Sequence, residues 1–337
     1  HTPDRPFIDD LDALPFVSQV YKRHLRIENY FYSITRYPEV ALVTGRGCPY
    51  RCTYCVWPQT LTGQRYRQRS IANIAAEFEF IARDLPQVKE IFIEDDTLTV
   101  NEERAIALAQ ELIKRGNKLT FTANSRPDVS YETLRWLKKA GLRLLCVGFE
   151  SGAQTVLDAI HKGTRVEQFY TFSQAAQKAG VLVHGCFMAG NPQETPESLA
   201  ATLAVAKQLT LDTAQFFPLM VYPGTRAYQW AEMNGYLTAR NFADWLTPDG
   251  LHRSPLALPN LTPEELVAWC DHARRDFYLR PRYFWAKAKQ IITHPGEARR
   301  IFRAARVFSK YLLRPSQAQS KPPAPTSPPA LDSTAPR

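Results

Sequence analysis

At 337 residues and 45% apolar, the chain is long enough for one large α/β domain with a small appendage, and no uncharged apolar run approaches the roughly 20 residues a membrane-spanning helix needs. Six cysteines are too few for a disulfide scaffold at this length, and no secretory leader is read, so a reducing cytoplasmic setting is expected. The formal net charge of +9 needs a local explanation, and it has one near the C-terminus.

Residues 1–38 read as an irregular, Pro-punctuated extension. An alternation of strands and helices then begins. VALVTG (40–45) is a strand, and SIANIAAEFEFIARDL (70–85) is a helix with Ser70 as its N-cap. KEIFIED (89–95) is a strand, followed by a helix over 101–116 with Asn101 as cap and Gly116 at C′. KLTFTAN (118–124) and LRLLCVGFE (142–150) are strands flanking a helix at 130–141. Short helical patterns cover 153–161 and 167–179. VLVHGCFMAG (181–190) is a strand, and the helix at 195–209 has Thr195 as cap and Pro196 at N1. TAQFFPLMVY (213–222) is the last strand, with a helix after Gly224.

Six strand-then-helix units imply a mostly parallel sheet whose apolar strands are covered on both faces. They fall short of a closed eight-fold barrel, and the pattern fits an open partial barrel and a doubly wound sheet equally. Either architecture puts chemistry at the carboxyl ends of the strands. There the sequence places a three-cysteine loop, Glu94-Asp95-Asp96, Asn124 with Arg126, Glu150-Ser151, MAGNPQET and YPGT.

The loop GRGCPYRCTYCVWPQT holds Cys48, Cys52 and Cys55, half of all the cysteines. A structural zinc site wants a fourth ligand that nothing nearby supplies. A disulfide would strand one thiol. A [4Fe–4S] cluster normally takes four thiolates, so three would leave one iron open to a substrate or cofactor. Cys146, Cys186 and Cys270 lie far apart in apolar contexts and read as buried free thiols.

Cys48-Pro49-Tyr50-Arg51-Cys52-Thr53-Tyr54-Cys55 matches the CxxxCxΦC motif of the radical S-adenosylmethionine (SAM) superfamily, Φ being the aromatic Tyr54. The resemblance spans about residues 40–235 and implies a partial (β/α)6 TIM-like barrel with a helical C-terminal extension. It implies that the three thiolates hold a [4Fe–4S] cluster whose open iron chelates SAM. Reductive cleavage would give methionine and a 5′-deoxyadenosyl radical, with flavodoxin or ferredoxin as electron donor. By the same resemblance Tyr54 packs near the cluster and adenine. Glu94, Asp95 and Asp96 stand where the methionine amino group binds. Glu150 and Ser151 stand where the ribose and methionine moiety are contacted, and Met188, Gly190 and Pro192 lie along the adenine. Asn124 joins this set, and Arg126 is a candidate carboxylate partner.

GRGCPYRCTYC with WPQT, YRQRS, GFESG and NPQET resembles the cobalamin-dependent class, and within it radical proteins associated with hopanoid lipid biosynthesis. PFIDDLDALPF is similar to the linker that follows a cobalamin-binding domain in that class. The chain carries no DxHxxG cobalamin signature, so cobalamin enters on the resemblance alone. No second cysteine cluster is read, which argues against the auxiliary-cluster subclass.

Between Arg280 and Arg314 lie ten Lys or Arg residues and one acid, Glu297, a balance equal to the whole net charge of +9. Arg299, Arg303, Arg306, Lys310 and Arg314 follow one helical stripe, and Ile301, Ala305, Phe308 and Leu312 another. A docked helix, a membrane surface and, least favoured, a nucleic acid remain open. The expected organisation is an extension (1–38), a catalytic barrel (39–235), a helical extension (236–314) and a disordered Pro/Ser/Ala-rich tail (315–337). The expected activity is radical modification of an unactivated carbon on a hopanoid, another lipid or a small molecule. RNA or protein modification, and a non-catalytic iron–sulfur role, are the alternatives.

Overall fold

The computed structural model describes residues 3, 5–239, 241–247, 253–293 and 295–313. The expected disordered tail lies outside them, as does the side chain of Phe308.

The strands are β1 (Glu39–Leu42), β2 (Gly45–Arg46), β3 (Arg67–Gln68), β4 (Glu90–Ile93), β5 (Thr120–Ser125), β6 (Leu142–Glu150), β7 (Leu182–Ala189) and β8 (Thr213–Pro218). The helices are α1 (Val17–His24), α2 (Ile71–Asp84), α3 (Glu102–Lys114), α4 (Tyr131–Ala140), α5 (Gln154–Ala159), α6 (Val166–Ala179), α7 (Pro196–Gln208), α8 (Arg226–Met233), α9 (Pro263–Tyr278), α10 (Pro281–Thr293) and α11 (Ala298–Leu313).

Six strands pair in the order β1-β4-β5-β6-β7-β8, every pair parallel. A doubly wound sheet reverses its strand order at a switch point. Here order follows sequence without reversal, which decides for the open partial barrel. β2 and β3 form a separate antiparallel ribbon. At two residues each they carry no periodic signal, so the sequence reading missed them.

Strand alternation separates two faces. Phe149, Phe187 and Phe216 stack across β6, β7 and β8 with ring centroids 5.5 and 5.3 Å apart, and Phe149 meets Phe169 of α6 at 5.0 Å. That is the helix-covered face, and each of these rings is worth about 1.5–3 kcal/mol on burial. Glu39, Ala41, Phe92 and Asn124 line a cavity of about 350 Å³ in the lumen.

Helix caps follow the sequence closely. Ser70, Asn101, Ser130, Thr195 and Thr225 each accept from a backbone N–H of the first turn. The N-terminal extension departs from expectation: Val17–His24 is helical, and α1 is tied to α2 by Ser18 donating to Glu77 at 2.8 Å and by a Lys22–Asp84 pair at 2.6 Å.

The opposite end of the barrel is closed by a buried charge network. Arg143 pairs with Glu90 at 2.8 Å and with Glu297 at 3.5 Å, and Glu297 also holds Arg36 at 2.6 Å and Arg300 at 2.8 Å. Arg300 reaches Asp212 at 2.9 Å, which Lys287 holds at 2.5 Å. This network docks α10 and α11 on the barrel. In this network α11 is held by Arg300, outside the basic stripe read from the sequence, while Arg303 of the stripe packs on Phe31 and Tyr37.

Candidate active site

The cysteine loop rises from the carboxyl end of β1 and is closed at its base by the β2–β3 ribbon. Gly47 adopts φ +94, and a Cβ there would lie 2.3 Å from the Arg65 carbonyl oxygen, so only glycine fits the first turn. Two carboxylates pin the loop. Asp95 accepts from the backbone of Thr44 (2.6 Å) and Gly45 (3.1 Å) and from the Thr44 hydroxyl (2.5 Å). Asp96 accepts from Gly47 N (3.0 Å) and Thr62 Oγ1 (2.9 Å). Both side chains therefore position the loop, and the Asp95 carbonyl accepts from Asn124 Nδ2 at 3.1 Å. Glu94 and Asn124 face the lumen cavity.

Gln59 organises the loop from within. Its amide nitrogen reaches the carbonyls of Cys52, Thr53 and Cys55 at 3.2, 3.0 and 2.8 Å, and its oxygen accepts from Arg226 N at 3.0 Å. Thr53 adds backbone bonds to Ile160 and Ala227, both 3.0 Å. The loop from β1, one edge of the sheet, is thus fastened to α8, which follows β8 at the other edge. Residues Trp57–Leu61 form one wide helical turn, closed by Thr62 N donating to Trp57 O at 2.7 Å.

A buried polar trio stands beside this loop. Tyr54 donates to Glu150 Oε1 at 2.8 Å, and Lys162 Nζ donates to the same oxygen at 2.8 Å and to Tyr54 Oη at 3.1 Å. Glu150 sits at φ +66, an uncommon conformation for a non-glycine residue, where the β6–β7 register shifts. Gly148 makes this possible, since a Cβ there would come 2.1 Å from Glu150 Oε1. Arg126 stacks on Tyr50, its guanidinium carbon 3.7 Å from the ring centre, and donates to the Lys162 carbonyl at 2.9 Å and to Asp128 at 3.0 Å.

Electrostatics set the character of the site. Burial pushes Cys55 up to about 12, helped by its neighbours Cys52 and Cys48, and burial likewise raises Cys48, with Cys52 adding to it and Arg126 opposing. Burial pulls Lys162 down, but Glu150 and then Cys52 pull it up more, so it stays a cation. Burial and the nearby Glu150 raise Tyr54, so the phenol stays neutral. Three free thiols on one short loop, with Lys162 and Arg126 buried beside them, offer the soft donor set that a multi-iron core takes. The donor set thus fits a [4Fe–4S] cluster.

Lys162 was not foreseen. It lies in an ordinary HKGT turn after a short helix, and only the fold brings it to Glu150. Ser151 is placed away from the trio, its hydroxyl fully buried 3.1 Å from that of Thr202. Met188 and Gly190 close β7. Gly190 has φ +98 and lies against Leu266 of α9, and Asn191 beside it donates to the Met188 carbonyl at 3.2 Å.

The sequence profile of the Radical SAM superfamily matches residues 42–206, from β1 to α7. Residues 42–206 are a radical SAM domain. It is 31% identical to an uncharacterized methyltransferase of Pyrococcus horikoshii over 87% of this chain and 61% of that protein. It is 28% identical to the anaerobic magnesium-protoporphyrin IX monomethyl ester cyclase of Rubrivivax gelatinosus, over 76% of this chain and 46% of the cyclase. The chain therefore spans about half to three-fifths of the length of these curated relatives. Among solved structures, the radical SAM methyltransferase TsrM from Kitasatospora setae, with cobalamin and a [4Fe–4S] cluster bound, superposes with a TM-score of 0.58 at 23% identity, covering 72% of this chain and 51% of TsrM. That likeness establishes the radical SAM barrel fold for this chain.

Proposed function

We propose that this chain is the catalytic part of a radical SAM enzyme of the cobalamin-dependent methyltransferase type, with residues 39–235 as its catalytic unit. The observation that carries this reading is the placement of Cys48, Cys52 and Cys55 over the barrel mouth, beside the buried cations Lys162 and Arg126. A [4Fe–4S] cluster on these thiolates supplies, when bound, the electron that cleaves SAM to methionine and a 5′-deoxyadenosyl radical.

The chain's own residues then divide the work of holding SAM. Glu150 exchanges part of its pairing with Lys162 for a cofactor hydroxyl or ammonium, and Lys162 or Arg126 meets a carboxylate. Tyr54, Met188 and Gly190 flank the adenine. Glu94, with the backbone of Asp95 and Asp96, lies toward the methionine amino group, and Asn124 holds that backbone in place. Ser151 supports Glu150 from the turn behind it. The lumen beneath, lined by Tyr32, Glu39, Phe92 and Glu94, takes the substrate.

Support for methyl transfer comes from the methyltransferase relatives, and support for cobalamin from the cobalamin-bound neighbour. No residue here is assigned to cobalamin, since the chain lacks the DxHxxG pattern. A lipid or hopanoid substrate met at a membrane surface is favoured by one observation: the basic α10 and α11 expose Phe284, Trp285, Ile292 and Phe302. Among the described residues no helix is long and apolar enough to cross a membrane. A small reductant protein such as flavodoxin or ferredoxin would supply the electron.

The test is anaerobic incubation of cluster-loaded protein with dithionite and SAM. Release of 5′-deoxyadenosine and methionine is expected even without the true substrate, and Glu150→Gln should lower it at least tenfold while iron content holds. An intact cluster that releases none overturns the reading.

A further inference from the structure

Cys146, His184 and Cys186 are scattered in sequence, yet the fold gathers their ligand atoms within 4.8 Å of one another. Cys146 of β6 lies in register with His184 of β7, and Cys186 follows two residues later on the same face of that strand. The two sulfurs are 3.7 Å apart, far beyond the roughly 2.05 Å of a disulfide bond, and both cysteines are free. The expectation of free thiols holds for Cys146 and Cys186, and that of full burial does not. Both are half-buried, whereas Cys270 is buried as expected.

The face they occupy is the lumen face. Phe187, on the opposite side of β7 from Cys186, packs in the helix-side aromatic stack. Asn124, in register with Cys146, lines the lumen cavity, and so does Tyr32. Burial raises the Tyr32 phenol, with Cys146 and Cys186 the next causes, so the thiols stand close to that wall. His184 is oriented from behind: its Nδ1 lies 2.7 Å from Thr213 Oγ1 on β8. Burial lowers the imidazole, but Cys186 and Gln215 raise it by more. The Cys186 thiol is raised by its bond to Cys146 and by burial, against His184.

We propose that Cys146, His184 and Cys186 bind one zinc-type divalent ion inside the barrel, with a fourth position open to the lumen. Two thiolate sulfurs and one imidazole nitrogen are a donor set that soft-to-borderline ions prefer. Three protein ligands with a vacant fourth position mark catalytic rather than structural zinc sites. The Thr213 contact is the kind of outer partner that fixes the tautomer and direction of a ligating histidine, with Nδ1–H donating to the hydroxyl and Nε2 left for the ion. Binding releases the two thiol protons to solvent and involves no change of oxidation state. The fourth position takes water or an oxygen, nitrogen or sulfur atom of the substrate. The site lies four residues before Glu150 on β6, so it is separate from the Cys48 loop.

The test is a cobalt(II) titration of reduced, anaerobic protein whose cluster is already loaded, read by thiolate-to-cobalt charge transfer and tetrahedral d–d bands. One equivalent should bind, and zinc should displace it. Cys146→Ser and Cys186→Ser should each abolish the charge-transfer bands while melting temperature and iron content stay unchanged. Thr213→Val should weaken binding by about 10–100-fold. A variant with Cys48, Cys52 and Cys55 all changed to Ala should keep the bands. Zinc should protect Cys146 and Cys186 of wild-type protein from alkylation, a readout that needs no variant. Bands that survive both serine variants, no cobalt uptake by wild type, or a Cys146–Cys186 disulfide mapped in the reduced protein would overturn the proposal.

Discussion

The two ends of the barrel both bury charge, and they use it differently. At the amino end, Glu90, Arg143, Glu297, Arg300, Asp212 and Lys287 form a chain of opposite charges in which each acid meets at least one cation. At the carboxyl end, one carboxylate, Glu150, serves Tyr54 and Lys162, while three thiols stand beside them. The first arrangement is complete and fastens the N-terminal extension and the C-terminal helices to the sheet. In the second, Glu150 is shared between a phenol and an ammonium, Arg126 is paired with Asp128, and Asp95 and Asp96 are spent on the loop backbone, so among the described residues the three thiols stand free of any acid or base partner of their own. Buried pairs are weak evidence for stability, but breaking one by removing a single partner is costly.

The largest expected effect breaks the comparison at the carboxyl end. Cys52→Ala should take iron from about four per chain to none after anaerobic reconstitution, whereas Cys270→Ala should leave it unchanged. Iron analysis with absorbance near the cluster bands decides this.

Next comes the amino end. Asp212→Asn leaves Arg300 and Lys287 facing each other without their shared acid. A loss of about 3–5 kcal/mol in denaturant unfolding is expected, with iron uptake by the folded fraction unchanged. Burial raises Asp212, but Lys287 and Arg300 lower it more, so the net shift is down. Its stabilisation is therefore present above the unfolded carboxylate range near pH 4 and lost as pH falls through the folded value. The variant's stability should depend less on pH in the acid range than the wild type's.

A smaller effect should follow at Gln59, whose amide holds three carbonyls of the cysteine loop. Gln59→Leu should destabilise the loop by about 1–3 kcal/mol. Faster loss of iron to a chelator would show it, with little change in the melting of the barrel. An unchanged chelation rate would mean that Asp95 and Asp96 position the loop unaided.

The smallest effect lies in the lumen between the two ends. Burial, then Glu90 and Glu94, raise Glu39 to about 7. Such a group stabilises the fold fully below its unfolded value and loses that contribution as pH rises through about 7. Glu39→Gln should flatten the stability profile between roughly pH 4.5 and 7 and raise stability at pH 8. Melting curves across that range check it.

The difference between the ends also explains what the sequence disclosed. Strand–helix alternation, caps such as Ser70 and Thr195, and the CxxxCxΦC loop are local patterns, so they were legible. Strand order resolved the barrel only once pairing was known, because alternation alone fits a reversed sheet as well. Lys162, Arg300 and the Cys146–His184–Cys186 group were not legible, since each gains its partner through contacts 12 to 88 residues away. Linear spacing also hid that two parallel strands set Cys146 beside His184 and Cys186. The α1 helix escaped because eight residues carry too short a period.

The central claim is that Cys48, Cys52 and Cys55 present a cluster with an open iron to SAM at the barrel mouth. Electron paramagnetic resonance of the dithionite-reduced, cluster-loaded protein tests it most directly. A single [4Fe–4S] signal should appear, change on addition of SAM, and disappear in Cys48→Ala, Cys52→Ala and Cys55→Ala alike. A signal that SAM leaves untouched, or that persists in any one of these variants, would contradict the account.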